Sequence, residues 1–113
     1  MVRVHSSPGS LKGEYSLRNY RFDWDPQKND VNVRKHGISF EDAQSTFYDD
    51  DALLLFDDEH SSESEERFVL IGADFSARML MVCHCYRNGD SIVRIFSARK
   101  ATKHEIRMYR GGR

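Results

Sequence analysis

Three groups of residues in this sequence have the types and spacing needed for acid–base or phosphate chemistry. An arginine fork matches the oxygens of a phosphate or a carboxylate, and a histidine with a pKa near ~6.5 exchanges protons at neutral pH. Such residues can bind a phosphodiester, neutralise its charge and move a proton. The groups are Arg34-Lys35-His36, then Glu66-Arg67, then Arg94, Ser97 and Arg99 with Lys100, Lys103 and His104 after them.

The third group begins on an alternating strand, in which successive side chains point to opposite faces. Arg94 and Phe96 are therefore expected on one face of that strand. The other face should carry Ile95, Ser97 and Arg99. A guanidinium among apolar neighbours needs a partner or a ligand, so at least one of the two arginines is expected on an open surface. That arginine either binds an anionic ligand or forms a structural ion pair on a solvated face.

The other two groups have structural explanations as well as functional ones. Cations at the C-terminal end of a helix complement the helix dipole, which is sufficient to explain Lys35 and His36. Glu66 and Arg67 are neighbours in a strand and point to opposite faces, so they cannot form a site by themselves. Arg67 can instead reach across a sheet toward the last strand.

Length and composition indicate one small domain of 113 residues with a single core. No apolar run approaches the ~18–20 residues that cross a bilayer, and the first residues lack a signal-peptide pattern, so a cytoplasmic protein is expected. Cys83 and Cys85 lie in a strand-like run and are predicted to be buried, reduced thiols. No metal-binding motif is present, and we expect no cofactor.

The net charge of −1 conceals a strong separation of charge along the chain. Residues 49–66 include nine acids and no Lys or Arg, whereas residues 67–113 include ten Lys or Arg against three acids. A charged run is commonly a solvated loop. Such a sharp separation of charge also suggests that the C-terminal part binds a polyanion and that the acidic part binds a basic partner.

The pattern of turns and apolar residues predicts an α+β domain over residues 19–113, after a flexible extension at 1–18. The predicted fold is an antiparallel sheet of about four to five strands with two N-terminal helices and one C-terminal helix. The helices are expected mainly on one face of the sheet. Helix boundaries follow from capping residues, and Asn88-Gly89 indicates a hairpin. Strands are expected near 20–24, 52–56, 67–73, 78–86 and 90–98, and helices at 26–36, from 39 and at 102–109.

Three segments, in this order and at these separations, resemble the BrnT family of bacterial toxins. They are FDWDPQKNDVNVRKHGISFEDA (Phe22–Ala43), ERFVLIG (Glu66–Gly72) and RIFSARKATKHE (Arg94–Glu105). The resemblance covers roughly Tyr20 to Tyr109 and implies a fold similar to that of RelE-type ribonuclease toxins. It also implies an RNA substrate, a block of translation and neutralisation by a BrnA-type antitoxin. Operator DNA would be bound only through the toxin–antitoxin complex, and no membrane is involved.

Carried over by motif, the resemblance also implies functional residues. RNA supplies its own nucleophile, the 2′-hydroxyl, so a metal-independent enzyme needs only positioning, charge neutralisation and proton transfer. We expect Arg67, Arg94 and Arg99 to clamp the scissile phosphate, while His36 or Glu66 moves protons. The residues expected to bind RNA are Lys35, Ser97, Lys100 and Lys103.

Two other functions remain open at this point. The near-zero net charge favours a non-catalytic binding module, either a degenerate toxin or a co-repressor that acts through its antitoxin. A metal-dependent nuclease is the third possibility. The mode of neutralisation is also open, because a basic antitoxin segment docking along residues 49–66 and a helix covering the arginines are both consistent with the sequence.

Overall fold

The structure is a computed structural model in which residues 20–111 are described, so the predicted extension at 1–18 lies outside the described residues. It confirms an α+β fold with five strands. The strands are β1 (Arg21–Asp23), β2 (Leu53–Phe56), β3 (Arg67–Ala73), β4 (Met79–Arg87) and β5 (Ile92–Lys100). The helices are α1 (Pro26–His36), α2 (Phe40–Gln44) and α3 (Lys103–Tyr109), with a 3-10 helix at Ser45–Tyr48 directly after α2.

The five strands form one sheet in the order β1-β5-β4-β3-β2. Strands β2 to β5 pair antiparallel with their sequence neighbours, as short connections require. The first strand differs, because β1 pairs in parallel with β5. The sheet is therefore mixed, whereas the sequence predicted an antiparallel one. None of the helices within residues 20–111 is long and apolar enough to cross a membrane.

Capping residues set the helix boundaries where the sequence predicted them. Asp25 accepts the backbone N–H of Gln27 at 2.9 Å, and Pro26 opens α1. Gly37 ends α1 at φ 72°, a left-handed conformation that glycine adopts without a steric cost. Thr102 and Glu105 form a reciprocal capping box at the start of α3.

The main core lies between the sheet and the segment that runs from Ile38 through α2 into the 3-10 helix. Side chains from the loop and α2, among them Ile38 and Phe40, pack on the sheet residues that point toward them. We call this side of the sheet the core face and the opposite side the outer face. The C-terminal helix α3 contacts β3, and its Glu105 binds Arg99. Arg99 pairs across the strands with Met81, whose side chain points away from the core face. Helices therefore lie on both faces, with α3 at one end of the outer face. The core-face sheet residues are Leu70, Leu80, Val82, Val93, Ile95 and Ala98.

Asn32 of α1 completes the edge of β5 beyond the point where β1 ends. Its side-chain oxygen accepts the Ala98 N–H at 3.1 Å, and its amide nitrogen donates to the Ala98 carbonyl at 2.8 Å. The same nitrogen donates to the Ile38 carbonyl at 2.8 Å. Asn32 is 5% exposed, so this amide replaces a neighbouring strand inside the protein.

His84 is fully buried on the core face between aromatic rings, including Phe47 at 4.8 Å between centroids. Its ring nitrogens lie 3.1 Å from the Val82 carbonyl and 3.2 Å from the Tyr86 hydroxyl. Burial lowers the pKa of His84 to about 4, despite the opposing effect of the Val82 carbonyl. The neutral ring then donates to Val82 and accepts from Tyr86.

Acid should destabilise this fold through His84. Between pH 6.5 and about 4 the unfolded chain binds a proton at this histidine and the folded chain does not, so stability falls as pH falls. The pKa difference corresponds to about 3 kcal/mol of unfolding free energy. Urea denaturation at a series of pH values should detect the loss. A free energy of unfolding that is flat across this window would contradict a buried, neutral His84.

Candidate functional site

A β-bulge in β5 determines which side chains share a face. His84 pairs with Ile95 and the preceding Cys83 pairs with Ser97, so Phe96 is an extra residue on β5. Such a bulge shifts the alternation of side chains by one residue. The prediction that Arg94 and Phe96 lie on the face opposite Ser97 and Arg99 is therefore wrong. All four belong to the outer face of the sheet.

Arg67 reaches this same part of β5 from β3. In the register of the sheet, Arg67 and Arg94 are both cross-strand partners of Cys85, which separates their backbones by about 10 Å. The Arg67 guanidinium carbon lies 3.9 Å from the centroid of the Phe96 ring. Its side chain therefore crosses β4 and places its charge above β5, next to the bulge.

Each of the three candidate arginines forms an ion pair with a carboxylate that the sequence reasoning did not identify. The shortest N–O distances are 2.9 Å for Arg67–Glu65, 2.6 Å for Arg94–Asp23 and 2.8 Å for Arg99–Glu105. The arginine side chains are 34%, 28% and 35% exposed, so solvent reaches all three. Ion pairs at this level of exposure contribute only about 0–1 kcal/mol.

Arg99 is held more firmly than the other two arginines. It donates to both carboxylate oxygens of Glu105, at 2.9 and 2.8 Å. Glu105 is 18% exposed and also accepts the Thr102 N–H at the start of α3. The hydrogen bond from Arg99, together with that of Thr102, lowers the pKa of Glu105 against the effect of burial. Arg99 thus ties β5 to α3.

A groove of about 450 Å³ lies between α1 and the bulge of β5. Its lining includes Lys35 and His36, both exposed, and also Phe96 and Ser97. The structure thus brings together three of the predicted residues, Lys35, His36 and Ser97. Lys28 adds another positive charge to the groove. Phe96 links the groove to Arg67, because Arg67 lies over its ring.

The remaining predicted residues lie elsewhere. Glu66 is exposed and lines a second, acidic groove of about 430 Å³ that includes neither Lys35 nor His36. Its neighbour Glu65, not Glu66, binds Arg67. Lys100 and Lys103 are exposed near the junction of β5 and α3 and do not line the groove beside the bulge.

The two cysteines also belong to the outer face. Cys85 is buried and Cys83 is half-buried, and neither forms a disulfide. Burial raises the pKa of both thiols, so neither is held as a reactive thiolate. Within residues 20–111, no cluster of three or more His, Cys, Asp or Glu side chains has the spacing to hold a metal ion.

A family model described as the ribonuclease toxin BrnT of type II toxin–antitoxin systems matches residues 24–105. This range covers most of the chain. The protein belongs to the BrnT family. The groove, the bulge and Arg67 all lie within the matched range, so the geometry described above belongs to the family domain.

A solved structure supports the same fold. The ribonuclease toxin BrnT of Brucella abortus superimposes with a TM-score of 0.56 at 22% sequence identity. The match covers 74% of this chain and 99% of the Brucella chain. A comparison with curated protein sequences found no match. Membership of a type II toxin–antitoxin family means that the chain has an antitoxin partner and an RNA target.

Proposed function

We propose that this BrnT-family chain cleaves RNA by metal-independent attack of the 2′-hydroxyl and thereby inhibits translation in the cytoplasm. A BrnA-type antitoxin neutralises it, and their complex represses its own operon. We also propose that residues 19–113 are the toxin domain, with a fold similar to that of RelE-type toxins, and that residues 1–18 are an extension of it.

One observation carries this proposal: the Arg67 guanidinium lies above Phe96, and Phe96 lines the groove that contains Lys35 and His36. A positive fork, an aromatic ring and a histidine are thus adjacent at the bulge. An RNA backbone that crosses the bulge would place a phosphate against the Arg67 guanidinium, and an unstacked base would stack on the Phe96 ring. Arg94 is on the same face of β5 and supplies a second fork.

The ion pairs of Arg67 and Arg94 are compatible with RNA binding. Asp23, the partner of Arg94, is 48% exposed, and Glu65 is 30% exposed, so a phosphate can compete with either carboxylate. Phosphate accepts two parallel hydrogen bonds from a guanidinium, as a carboxylate does. In this proposal phosphate replaces the carboxylates, while Arg99 keeps its pair with Glu105 and positions α3.

Proton transfer is assigned to His36, because it shares the groove with Ser97 and Lys35. Neutral His36 takes the proton of the 2′-hydroxyl, and the 2′-oxygen forms a bond to phosphorus. The bond from phosphorus to the 5′-oxygen breaks, and that oxygen takes a proton from water or a protonated side chain. The products are a 2′,3′-cyclic phosphate and a 5′-hydroxyl. Glu66 is less suited to this role, because it lies in the acidic groove.

RNA incubated with the purified chain in EDTA should be cleaved, and the upstream fragments should end in 2′,3′-cyclic phosphate. The same oligonucleotide with 2′-deoxyribose throughout should remain intact, because it lacks the nucleophile. The exchange His36→Gln should slow cleavage by about 10²-fold. His104→Gln, at another exposed histidine, should have no effect. Loss of cleavage in EDTA would instead indicate a metal-dependent nuclease.

A non-catalytic binding module is the second candidate, and the ion pairing of all three arginines favours it. If the carboxylates are not displaced, the outer face has little free positive charge for RNA. This alternative predicts tight binding to a basic antitoxin and no cleavage of RNA under any condition of metal or pH.

A further inference from the structure

The edge of the sheet at β2 is open. Strand β2 pairs only with β3, whereas the edge of β5 is covered by β1 and by Asn32. The Asp57 N–H donates to the Arg67 carbonyl at 2.8 Å, so the backbone groups of residue 57 point toward β3. Alternate residues of a strand direct their backbone groups to opposite edges. Residues 53 and 55 therefore direct their backbone groups toward β3. The N–H and C=O groups of Leu54 and Phe56 point out of the sheet, and no backbone within residues 20–111 pairs with them.

Strand β2 is short, at four residues, but its side chains do not protect its edge. Its sequence is Leu-Leu-Leu-Phe, without lysine, proline or an inward-pointing charge. Phe56 is 50% exposed, and its ring lies 5.6 Å from that of Phe68 on the neighbouring strand. An apolar strand with outward-pointing donors and acceptors is a template for another strand.

The charges beside β2 define the partner. The strand lies inside the segment 49–66, which has nine acids and no Lys or Arg. Exposed carboxylates stand at both ends of it: Asp50 and Asp51 before, and Asp58 and Glu59 after. A partner strand with Lys or Arg at its ends would be attracted, whereas a second copy of β2 would bring like charges together.

We propose that an extended segment of the antitoxin, apolar at its centre and basic at both ends, docks by adding a strand to β2. This inference rests on the proposed toxin–antitoxin function and specifies where the partner binds. The groove beside the bulge lies three strands away, about 14 Å across the sheet. Strand addition therefore anchors the antitoxin, and another part of the antitoxin must reach the groove to block it.

Proline at position 56 tests the proposal, because the Phe56 N–H points outward and is not part of the β2–β3 ladder. Phe56→Pro and Phe56→Ala both lose the ring, but only Phe56→Pro loses the outward N–H. With a purified BrnA-type antitoxin as the probe, Phe56→Pro should bind about tenfold more weakly than Phe56→Ala. Equal affinities for the two variants would overturn the proposal.

Hydrogen exchange gives a second readout on the unmodified full chain, followed by NMR for single amides. The Leu54 and Phe56 amides should exchange rapidly in the free toxin and become strongly protected in the complex. Protection of other surfaces with these two amides unchanged would refute docking at β2. Such a result would leave the proposed nuclease function intact if the free chain still cleaves RNA. If the free chain does not cleave RNA but the antitoxin still protects β2, the result would support docking at β2 and contradict the proposed nuclease function.

Discussion

The exchange Arg67→Ala is expected to lower the rate of RNA cleavage by about 10²–10³-fold while leaving the fold intact. Arg67 places a guanidinium above Phe96, where the proposed phosphate binds, and its loss removes charge stabilisation from the transition state. Its surface ion pair with Glu65 contributes little to stability, so the melting temperature should change by only a few degrees. Single-turnover cleavage of a short RNA and a thermal melt measure the two effects.

Arg87 provides a matched control for Arg67. Its guanidinium binds the same carboxylate, Glu65, at 2.9 Å, and it is 47% exposed. It does not line the groove beside the bulge. Arg87→Ala should therefore keep the rate within about twofold, since it removes an equal charge without touching the proposed site. Equal losses in Arg67→Ala and Arg87→Ala would show that general charge, not the position of Arg67, controls the activity.

The exchange Asn32→Ala is expected to cost about 3 kcal/mol or more of unfolding free energy. It leaves the Ala98 N–H and the carbonyls of Ala98 and Ile38 without partners, and each unsatisfied buried group costs about 1–3 kcal/mol. Urea denaturation of the purified variant measures the loss. Because β1 ends before Ala98, no strand is present to replace the missing amide.

Asn29 on the same helix is the matched control. Its side chain also forms two hydrogen bonds, one from the Phe40 N–H at 2.8 Å and one to Glu41 at 3.2 Å. It is only half-buried, so water can replace these bonds and Asn29→Ala should cost about 1 kcal/mol. A loss in Asn32→Ala no larger than that in Asn29→Ala would contradict the role of Asn32 at the strand edge.

The local elements were predictable because local signals define them. Asp25, Ser39 and Thr102 each cap a helix at the predicted residue, and Asn88-Gly89 forms the predicted turn between β4 and β5. The parallel pairing of β1 was not predicted, because nothing in a three-residue strand specifies which edge it joins. The position of β1 in the sheet depends on the long segment, containing α1 and α2, that separates β1 from β2 along the chain.

The site was only partly predictable, because its geometry depends on non-local features. The bulge at Phe96 has no glycine or proline to signal it, and it moves Ser97 and Arg99 to the face that carries Arg94. The carboxylate partners of Arg67 and Arg99 are close in sequence, but Asp23 and Arg94 are 71 residues apart. Residue types indicated which groups could bind phosphate, whereas only the sheet register shows which of them share a surface.

The central claim is that RNA binds on the outer face at the bulge and in the adjoining groove. It is tested most directly by NMR titration of the chain with an oligonucleotide that lacks 2′-hydroxyls and therefore cannot be cleaved. We expect perturbation of the Phe96 and Ser97 amides and of the Arg67 side-chain Nε signal, with the Leu54 and Phe56 amides of the distant edge strand β2 unchanged. Perturbations confined to other surfaces, with these three signals unaffected at saturation, would contradict it.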